Sequence, residues 1–160
     1  MNKHTISITV EDQPGVLTRV TTLFRRRGYN IESLSVGVTE DPSQARITIV
    51  VPGDDSIIEQ VTKQLYKLVD VNKIVDITAE KYVERELVLI KVRADNSIRA
   101  DVVQIVDIFR GRIVDIGRDT LIIEATGDEG KINAIQDSLR NFGIIELVRT
   151  GKIAMIRGNK

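Results

Sequence analysis

The chain has 160 residues, of which 42% are hydrophobic and 29% charged, as in folded globular proteins. Lysine plus arginine and aspartate plus glutamate both number 23, so the net charge is zero and the basic excess of a nucleic-acid-binding protein is absent. Cysteine is absent, which excludes disulfides and thiolate sites, and no apolar run approaches the roughly 20 residues that cross a bilayer. We therefore expect a cytoplasmic protein that binds neither nucleic acid nor membrane.

The first half of the chain alternates between strand and helix patterns. Ile6, Ile8 and Val10 alternate with polar residues, as in a half-buried strand. Apolar residues at helical spacing follow from 16 to 24, up to a predicted cap at Gly28. The remaining patterns predict strands at 31–39 and 45–51, a helix at 57–68 and a strand at 71–77. The order of elements is βαββαβ.

The second half repeats this order of elements. Residues 87–92 are almost continuously apolar, which predicts a strand buried on both faces. Ser97 is a candidate N-cap for a helix at 98–109, and residues 117–119 predict a tight turn between two strands. Gly151 is expected to form a bulge or break in the last strand. The remaining patterns predict a helix at 128–142 and an extended stretch at 144–156.

Both halves therefore predict a ferredoxin-like unit, in which four antiparallel strands carry both helices on one face. We expect an α+β protein with two such βαββαβ domains in tandem, at residues 1–79 and 80–160. The other face of each sheet is left open and each unit is small. We therefore expect sheet-face packing or sheet-edge pairing with another copy of the chain.

The turn between the first strand and the first helix, at residues 12–17, is the most informative segment for function. Backbone N–H groups at a helix start lack partners and lie at the positive end of the helix dipole, so they favour an anion. Gly15 lets a ligand approach the backbone, and Asp12 offers an acceptor for an ammonium group. Together these groups suit a free α-amino acid. The alternative is a helix start without a ligand, in which Asp12 or Gln13 satisfies local backbone groups.

Other conspicuous residues have ordinary structural explanations. Three arginines at 25–27 stand in the last helical turn, where they complement the dipole, although they could also dock an acidic partner. His4 is expected at the surface or at a strand end, and a single imidazole without clustered carboxylates predicts no metal site. Asp54-Asp55 and Asp128-Glu129 stand at helix starts and are predicted caps.

Several segments carry a resemblance to a known family. The turn at 12–17 (Asp-Gln-Pro-Gly-Val-Leu) is similar to the ACT-domain signature. Residues 28–34 (Gly-Tyr-Asn-Ile-Glu-Ser-Leu) resemble the small regulatory subunit of acetohydroxyacid synthase, also called acetolactate synthase. Residues 67–71, 84–87 and 109–115 resemble later segments of that family, so the resemblance covers essentially the whole chain. It implies an N-terminal ACT domain, a second ferredoxin-like domain and a homodimer.

The resemblance also implies a non-catalytic function. A subunit of this family binds and activates the catalytic subunit of acetolactate synthase. It also confers allosteric feedback inhibition by valine in branched-chain amino acid biosynthesis. Thiamine diphosphate, flavin and Mg²⁺ are implied for the catalytic subunit, and we expect no cofactor in this chain.

In such modules the effector lies between two ACT domains, so the implied site joins the turn of one chain to two residues of the other. Asn30 suits the carboxylate or ammonium of the ligand, and Ile31 walls an apolar pocket. Asp12 departs from the family, in which this position is often asparagine. Its carboxylate favours the ammonium of a ligand but repels the carboxylate. The implied effector-binding residues are Asp12, Gln13, Pro14, Gly15, Val16, Leu17, Asn30 and Ile31.

Two alternatives belong to other functional classes. A stand-alone amino-acid-sensing ACT regulator could act on nucleic acid through its second domain, although the zero net charge disfavours this. A small enzyme would have to use aspartate, glutamate and arginine alone, and no nucleophile–base pair is evident. The second domain has only Ala-Asp-Asn-Ser at residues 94–97 in place of the first turn, so we expect it to supply association surface and no second pocket.

Overall fold

The structure, a computed structural model, describes residues 2–159 of the chain. It divides into two compact units. The first contains the described residues up to 83 together with those from 154, and the second contains residues 84–153. The domain boundary expected between residues 79 and 80 stays a prediction.

The elements of the first unit follow the βαββαβ order. In chain order they are β1 (Lys3–Glu11), α1 (Val16–Arg27), β2 (Ser33–Val38), β3 (Gln44–Pro52), α2 (Asp55–Leu65) and β4 (Val71–Asp76). The strands form an antiparallel sheet in the order β2-β3-β1-β4. This is the predicted ferredoxin-like topology.

The elements that follow repeat this order and add a short final strand. They are β5 (Tyr82–Arg93), α3 (Arg99–Ile108), β6 (Arg112–Ile116), β7 (Thr120–Gly127), α4 (Glu129–Arg140), β8 (Ile144–Arg149) and β9 (Ile153–Ile156). The sheet order is β6-β7-β5-β8, and β9 pairs with β5. The predicted fold class, α+β with two βαββαβ units, is confirmed. Between residues 2 and 159, no helix has the length and apolarity needed to cross a membrane.

The core of the first unit lies between the sheet and its two helices. On β1 the alternating Ile6, Ile8 and Val10 are all buried. Both helices bury residues at intervals of three or four positions, the spacing that puts them on one helix face. The buried helix residues are Val16, Val20, Phe24, Ile58, Val61 and Leu65.

Gly28 ends α1 in a Schellman motif, which confirms the predicted glycine cap. Its φ of 69° is left-handed, and its N–H donates to the Arg25 carbonyl at 3.2 Å. The N–H of Tyr29 donates to the Phe24 carbonyl at 3.0 Å, and the two rings meet edge to face with centroids 6.5 Å apart. The motif fixes the direction in which the chain leaves α1.

Asp54 and Asp128 cap α2 and α4, as predicted. The Asp54 side chain accepts from the Ile57 N–H at 3.0 Å, and the Asp128 side chain accepts from the Lys131 N–H at 2.8 Å. A hydrogen bond from the Ser56 hydroxyl lowers the pKa of Asp54. These carboxylates stabilise the starts of α2 and α4, because each accepts a hydrogen bond from an N–H group of the first helical turn.

Ser97 is not the N-cap of α3, and that prediction is wrong. The cap position is occupied by Ile98, without a side-chain hydrogen bond. Ser97 instead donates its N–H at 2.9 Å and its hydroxyl at 2.5 Å to the Asp95 carboxylate. This local turn competes for the serine hydroxyl that a cap would need.

The strand predicted at 87–92 is buried on one face only. Val88, Ile90 and Val92 face the helices and are fully buried, whereas Leu89 is 39% exposed. The prediction of burial on both faces is wrong because α3 and α4 cover the same side of this antiparallel sheet. A continuous apolar run therefore marks a strand with one uncovered apolar face.

Gly151 interrupts the final extended stretch, as predicted. With φ 82°, it lies between β8 and β9.

Residues 154–156, which belong to the first unit, line a cavity together with Ser7 and Thr9 on the sheet face that carries no helix. On the same face Ile77 is 2% exposed. The expectation of an open second face is therefore wrong for the first sheet, because the end of the chain covers part of it.

His4 is buried near the start of β1, so the expected strand-end position is confirmed and the surface alternative is wrong. Its Nδ1 is 2.8 Å from Oδ2 of Asp76, and its Nε2 is 3.4 Å from Oδ1 of Asp55. Burial acts to raise the pKa of Asp76, but hydrogen bonds from Thr78 and His4 outweigh it and leave the pKa below its usual value. The described residues contain no group of three histidine, aspartate or glutamate side chains arranged as a metal site.

Two glycine replacements should change the free energy of unfolding in opposite directions. Gly28→Ala should lower it by about 1 kcal/mol, because a residue with a Cβ is strained at a φ of 69°. The added Cβ meets no atom within 4 Å, so a steric clash adds nothing to this cost. Gly130→Ala, within α4, should raise the free energy of unfolding by roughly 0.5 kcal/mol, because alanine favours the helix. Its added Cβ approaches nothing closer than 3.5 Å. Urea unfolding measures both changes, and a shift of the same sign in both variants would contradict the backbone argument.

Candidate ligand-binding site

The candidate site is the turn that joins β1 to α1. The Gln13 N–H donates to the Glu11 carbonyl at 3.0 Å, and the Val16 N–H donates to the Gln13 carbonyl at 3.3 Å. Gly15 occupies the N-cap position with φ 85° and ψ −4°, a left-handed conformation that favours glycine. No side chain caps the helix. The turn is therefore held by backbone geometry.

The first turn of α1 leaves backbone donors exposed. Within residues 2–159, the N–H groups of Leu17 and Thr18 have no acceptor, as expected for a helix start without a capping side chain. The carboxylate of Asp12 accepts no hydrogen bond from these residues either, and it is exposed. Asp12 therefore does not cap the helix, and of the two residues named by the ligand-free alternative only Gln13 accepts a local N–H, that of Val16.

A guanidinium lies directly over Gly15. A Cβ added to Gly15 would be 3.1 Å from Nη1 of Arg19. Asp70 holds this side chain, because Nε of Arg19 donates to Oδ2 at 2.8 Å and a second guanidinium nitrogen donates to the same oxygen. The Asp70 carbonyl also accepts from the Glu11 N–H at 2.8 Å, which ties the ion pair to the end of β1. The turn thus carries the Arg19–Asp70 ion pair beside its exposed N–H groups.

Carboxylates at the same turn give it a mixed charge. The N–H of Asp12 donates to the Ser43 carbonyl at 2.9 Å, so the hairpin between β2 and β3 lies against the turn. The Glu11 carboxylate accepts from Nδ2 of Asn72 at 3.0 Å, whereas that of Asp12 faces no such partner. Exposed N–H groups for a carboxylate and a free carboxylate for an ammonium match the two charges of an α-amino acid.

Asn30 and Ile31 lie at the other end of α1. The helix has 12 residues, so it separates them from Gly15 by about 18 Å. Asn30 is exposed, and Ile31 is half-buried against the core of the first unit. The structure therefore brings residues 12–17 together but not these two. Within one chain, a molecule the size of an amino acid does not reach both groups.

Arg19 and Asp70 are the residues of this site that sequence reasoning missed. Arg19 follows Gly15 by four positions, a spacing that directs a helical side chain back over the preceding turn, so this signal was present. Asp70 is 51 residues further along the chain. Its position depends on the pairing of β4 with β1, in which Val71 lies opposite Val10. No local pattern contains that information.

Both parts of the chain match models of one protein family. A model described as the AHAS small subunit-like ACT domain matches residues 6–73, and a model described as the small subunit of acetolactate synthase matches residues 85–158. The probable acetolactate synthase small subunit of Archaeoglobus fulgidus is 58% identical over 158 residues, which is 99% of either chain. This chain belongs to the acetolactate synthase small-subunit family.

Further comparisons agree with membership of the small-subunit family. The probable acetolactate synthase small subunit of Methanothermobacter thermautotrophicus is 53% identical over 158 residues, covering 98% of this chain and 94% of that protein. The crystal structure of the acetolactate synthase small subunit from Thermotoga maritima is 45% identical, with a TM-score of 0.90 over 100% of both chains. The family resemblance and the ACT domain predicted from the sequence are confirmed. Residues 12–17, 30 and 31 all lie inside the ACT match.

The Arg19–Asp70 ion pair should appear as a coupling energy in unfolding. A double-mutant cycle with Arg19→Gln and Asp70→Asn should give about 0.5–1 kcal/mol, because the pair is partly exposed. The coupling should fall in about 1 M NaCl, where salt screens charges beyond ~3 Å. Urea unfolding of the four proteins measures it, with the more exposed pair Glu59–Lys63 as a control of smaller coupling. A value near zero at low salt would show that Asp70 does not hold Arg19 over the turn.

Proposed function

We propose that this chain is the regulatory subunit that binds the catalytic subunit of acetolactate synthase, activates it and makes it sensitive to feedback inhibition by valine. Membership of the small-subunit family supports the association with acetolactate synthase. The observation that supports an amino-acid effector is the turn at Gly15, with its exposed N–H groups and mixed charge. In this proposal the chain performs no catalysis of its own.

The charges of the turn suggest how valine binds there. The carboxylate of valine accepts hydrogen bonds from the first turn of α1. The N–H of Val16 already donates to Gln13, so Leu17 and Thr18 are the stronger donors. The ammonium of valine faces the Asp12 carboxylate. Leu17, whose side chain is 41% exposed, offers an apolar contact to the branched side chain.

The proposed site is completed by a second copy of the chain. Asn30 and Ile31 lie about 18 Å from Gly15 along α1, so they contact the same small ligand only if they come from a partner. The amide of Asn30 pairs with the carboxylate or the ammonium, and Ile31 adds an apolar wall. The effector site of this proposal therefore requires a homodimer.

Strand β2 has the properties expected of the dimer contact. It is an edge strand, so the backbone groups along its outer side have no partner strand. Val36 and Val38 on this strand are 47% and 63% exposed. A second copy would cover these side chains and would bring its own Asn30, which precedes β2, toward the turn at Gly15.

The second unit is proposed to supply association surface. It has no turn comparable to that at residues 12–17, and several of its large apolar side chains are exposed. Such exposure on a small unit is typical of contact surfaces. The most exposed of these residues are Ile108, Val114, Ile116, Ile145, Val148 and Ile153.

Regulation in this proposal is a shift between two dimer geometries. Valine favours the geometry in which the turn of one chain and Asn30 of the other contact it together. Valine shifts the population toward this geometry because the two geometries differ in their affinity for valine. The catalytic subunit then responds to the geometry of the dimer. A ligand with equal affinity for both states would change nothing.

Reconstitution with the cognate catalytic subunit tests the proposal. Addition of this chain should raise the rate of acetolactate formation by about fivefold or more, and valine should then inhibit it. Gly15→Ala and Asn30→Ala should keep the activation but lose most of the inhibition. Calorimetry should show that both variants bind valine about tenfold or more weakly, the loss expected when hydrogen bonds to a charged ligand are disrupted.

Gly158→Ala is the matched control for Gly15→Ala. Both glycines have positive φ, but Gly158 is no part of the proposed site and its added Cβ meets no atom within 4 Å. Its variant should bind valine like the parent at a temperature where both are folded. Unchanged valine binding in Gly15→Ala and Asn30→Ala would refute the site. Valine binding without activation of any catalytic subunit would instead favour a stand-alone amino-acid sensor.

A further inference from the structure

The first unit contains a cavity of about 410 Å³ that lies apart from the Gly15 turn. It lies on the sheet face without helices, between β1, β3 and β4 on one side and residues 154–156 on the other. None of residues 12–17, 30 or 31 lines it. Its volume is in the range of small-molecule sites in proteins.

Two cationic side chains meet in this cavity through the register of the sheet. Thr9 on β1 lies opposite Arg46 on β3 and opposite Lys73 on β4. Residues directly opposite in an antiparallel sheet project from the same face, so the three side chains form one row. The two cations are separated at the backbone by two strand spacings, about 10 Å.

Neither cation is neutralised by the protein. Within the described residues, Arg46 and Lys73 form no ion pair and no side-chain hydrogen bond. Nε of Arg46 is buried and has no acceptor. A buried donor without a partner and two like charges on one face both destabilise the folded chain. A bound anion would offset both costs.

We propose that this cavity binds a small organic anion through a carboxylate or phosphate group. The anionic group lies between Arg46 and Lys73, which flank it from the two strands on either side of β1. The hydroxyls of Ser7 and Thr9 donate to its remaining oxygens, and Met155 contacts the apolar part of the molecule. This site is additional to the proposed valine site.

Glu40 sets the charge balance of the cavity. Among the described residues, its carboxylate is the one negative group in the lining, which also contains the two cations. The lining therefore carries a net charge of one positive unit. Removing the carboxylate should strengthen the attraction for an anion, whereas removing either cation should weaken it. The two kinds of variant thus have opposite expected signs.

The test is a titration of the full chain with inorganic phosphate and, separately, with succinate, followed by amide NMR shifts. At least one probe should bind saturably and shift the amides of Ser7 and Thr9. Arg46→Met and Lys73→Met should each weaken this binding by about tenfold or more, and Glu40→Gln should tighten it. Lys67→Met removes an exposed cation outside the cavity and should have no effect. Binding of phosphate alone indicates a phosphorylated ligand, and binding of succinate alone indicates a carboxylate.

Urea unfolding gives an independent readout. Arg46→Met should raise the unfolding midpoint in the absence of ligand, because it removes a buried donor without an acceptor. The proposal is overturned if neither probe binds saturably, or if Lys67→Met weakens binding as much as Arg46→Met. Gly15→Ala should leave phosphate and succinate binding unchanged, and Arg46→Met should leave valine binding unchanged. Failure of one site is thereby distinguished from failure of the other.

Discussion

The left-handed conformation of Gly15 is the constraint on which the candidate site depends. A φ of 85° lets the chain pass from β1 into α1 without a capping side chain. A residue with a Cβ would be strained there and would lie 3.1 Å from the guanidinium of Arg19. Because nothing caps the helix, its first N–H groups and the positive end of its dipole stay available to an anion. Backbone geometry, and not a set of reactive side chains, defines this site.

The length of α1 has a second consequence for function. Its Schellman end at Gly28 directs the chain toward Asn30, about 18 Å from the turn at Gly15. The turn at Gly15 and Asn30 of the same chain are too far apart to contact one amino acid. They contact the same ligand only if Asn30 comes from a second chain. In the proposed mechanism, a ligand held in this way reports the geometry of the dimer, which is what a regulatory subunit must transmit.

Local patterns in the sequence predicted most of the elements, because strand alternation, helical spacing and caps depend on residues a few positions apart. The same patterns failed where contacts join distant segments. The burial of His4 was not predicted, because its partner Asp76 lies 72 residues away. The Arg19–Asp70 pair, which spans 51 residues, depends likewise on strand pairing. The apolar run at 87–92 predicted a strand, but the sequence did not show whether a helix covers each of its two faces.

Mixed dimers test the central claim most directly. Gly15→Ala damages the turn, and Asn30→Ala damages the group proposed to come from the partner, so neither variant alone should bind valine well. A dimer with one chain of each kind keeps one intact site, formed by the unmodified turn of one chain and the unmodified Asn30 of the other. After unfolding and refolding together at equal concentrations, about a quarter of all sites should bind valine with the affinity of the parent. Recovery of no high-affinity sites in a mixture shown to contain mixed dimers would contradict a site shared between two chains.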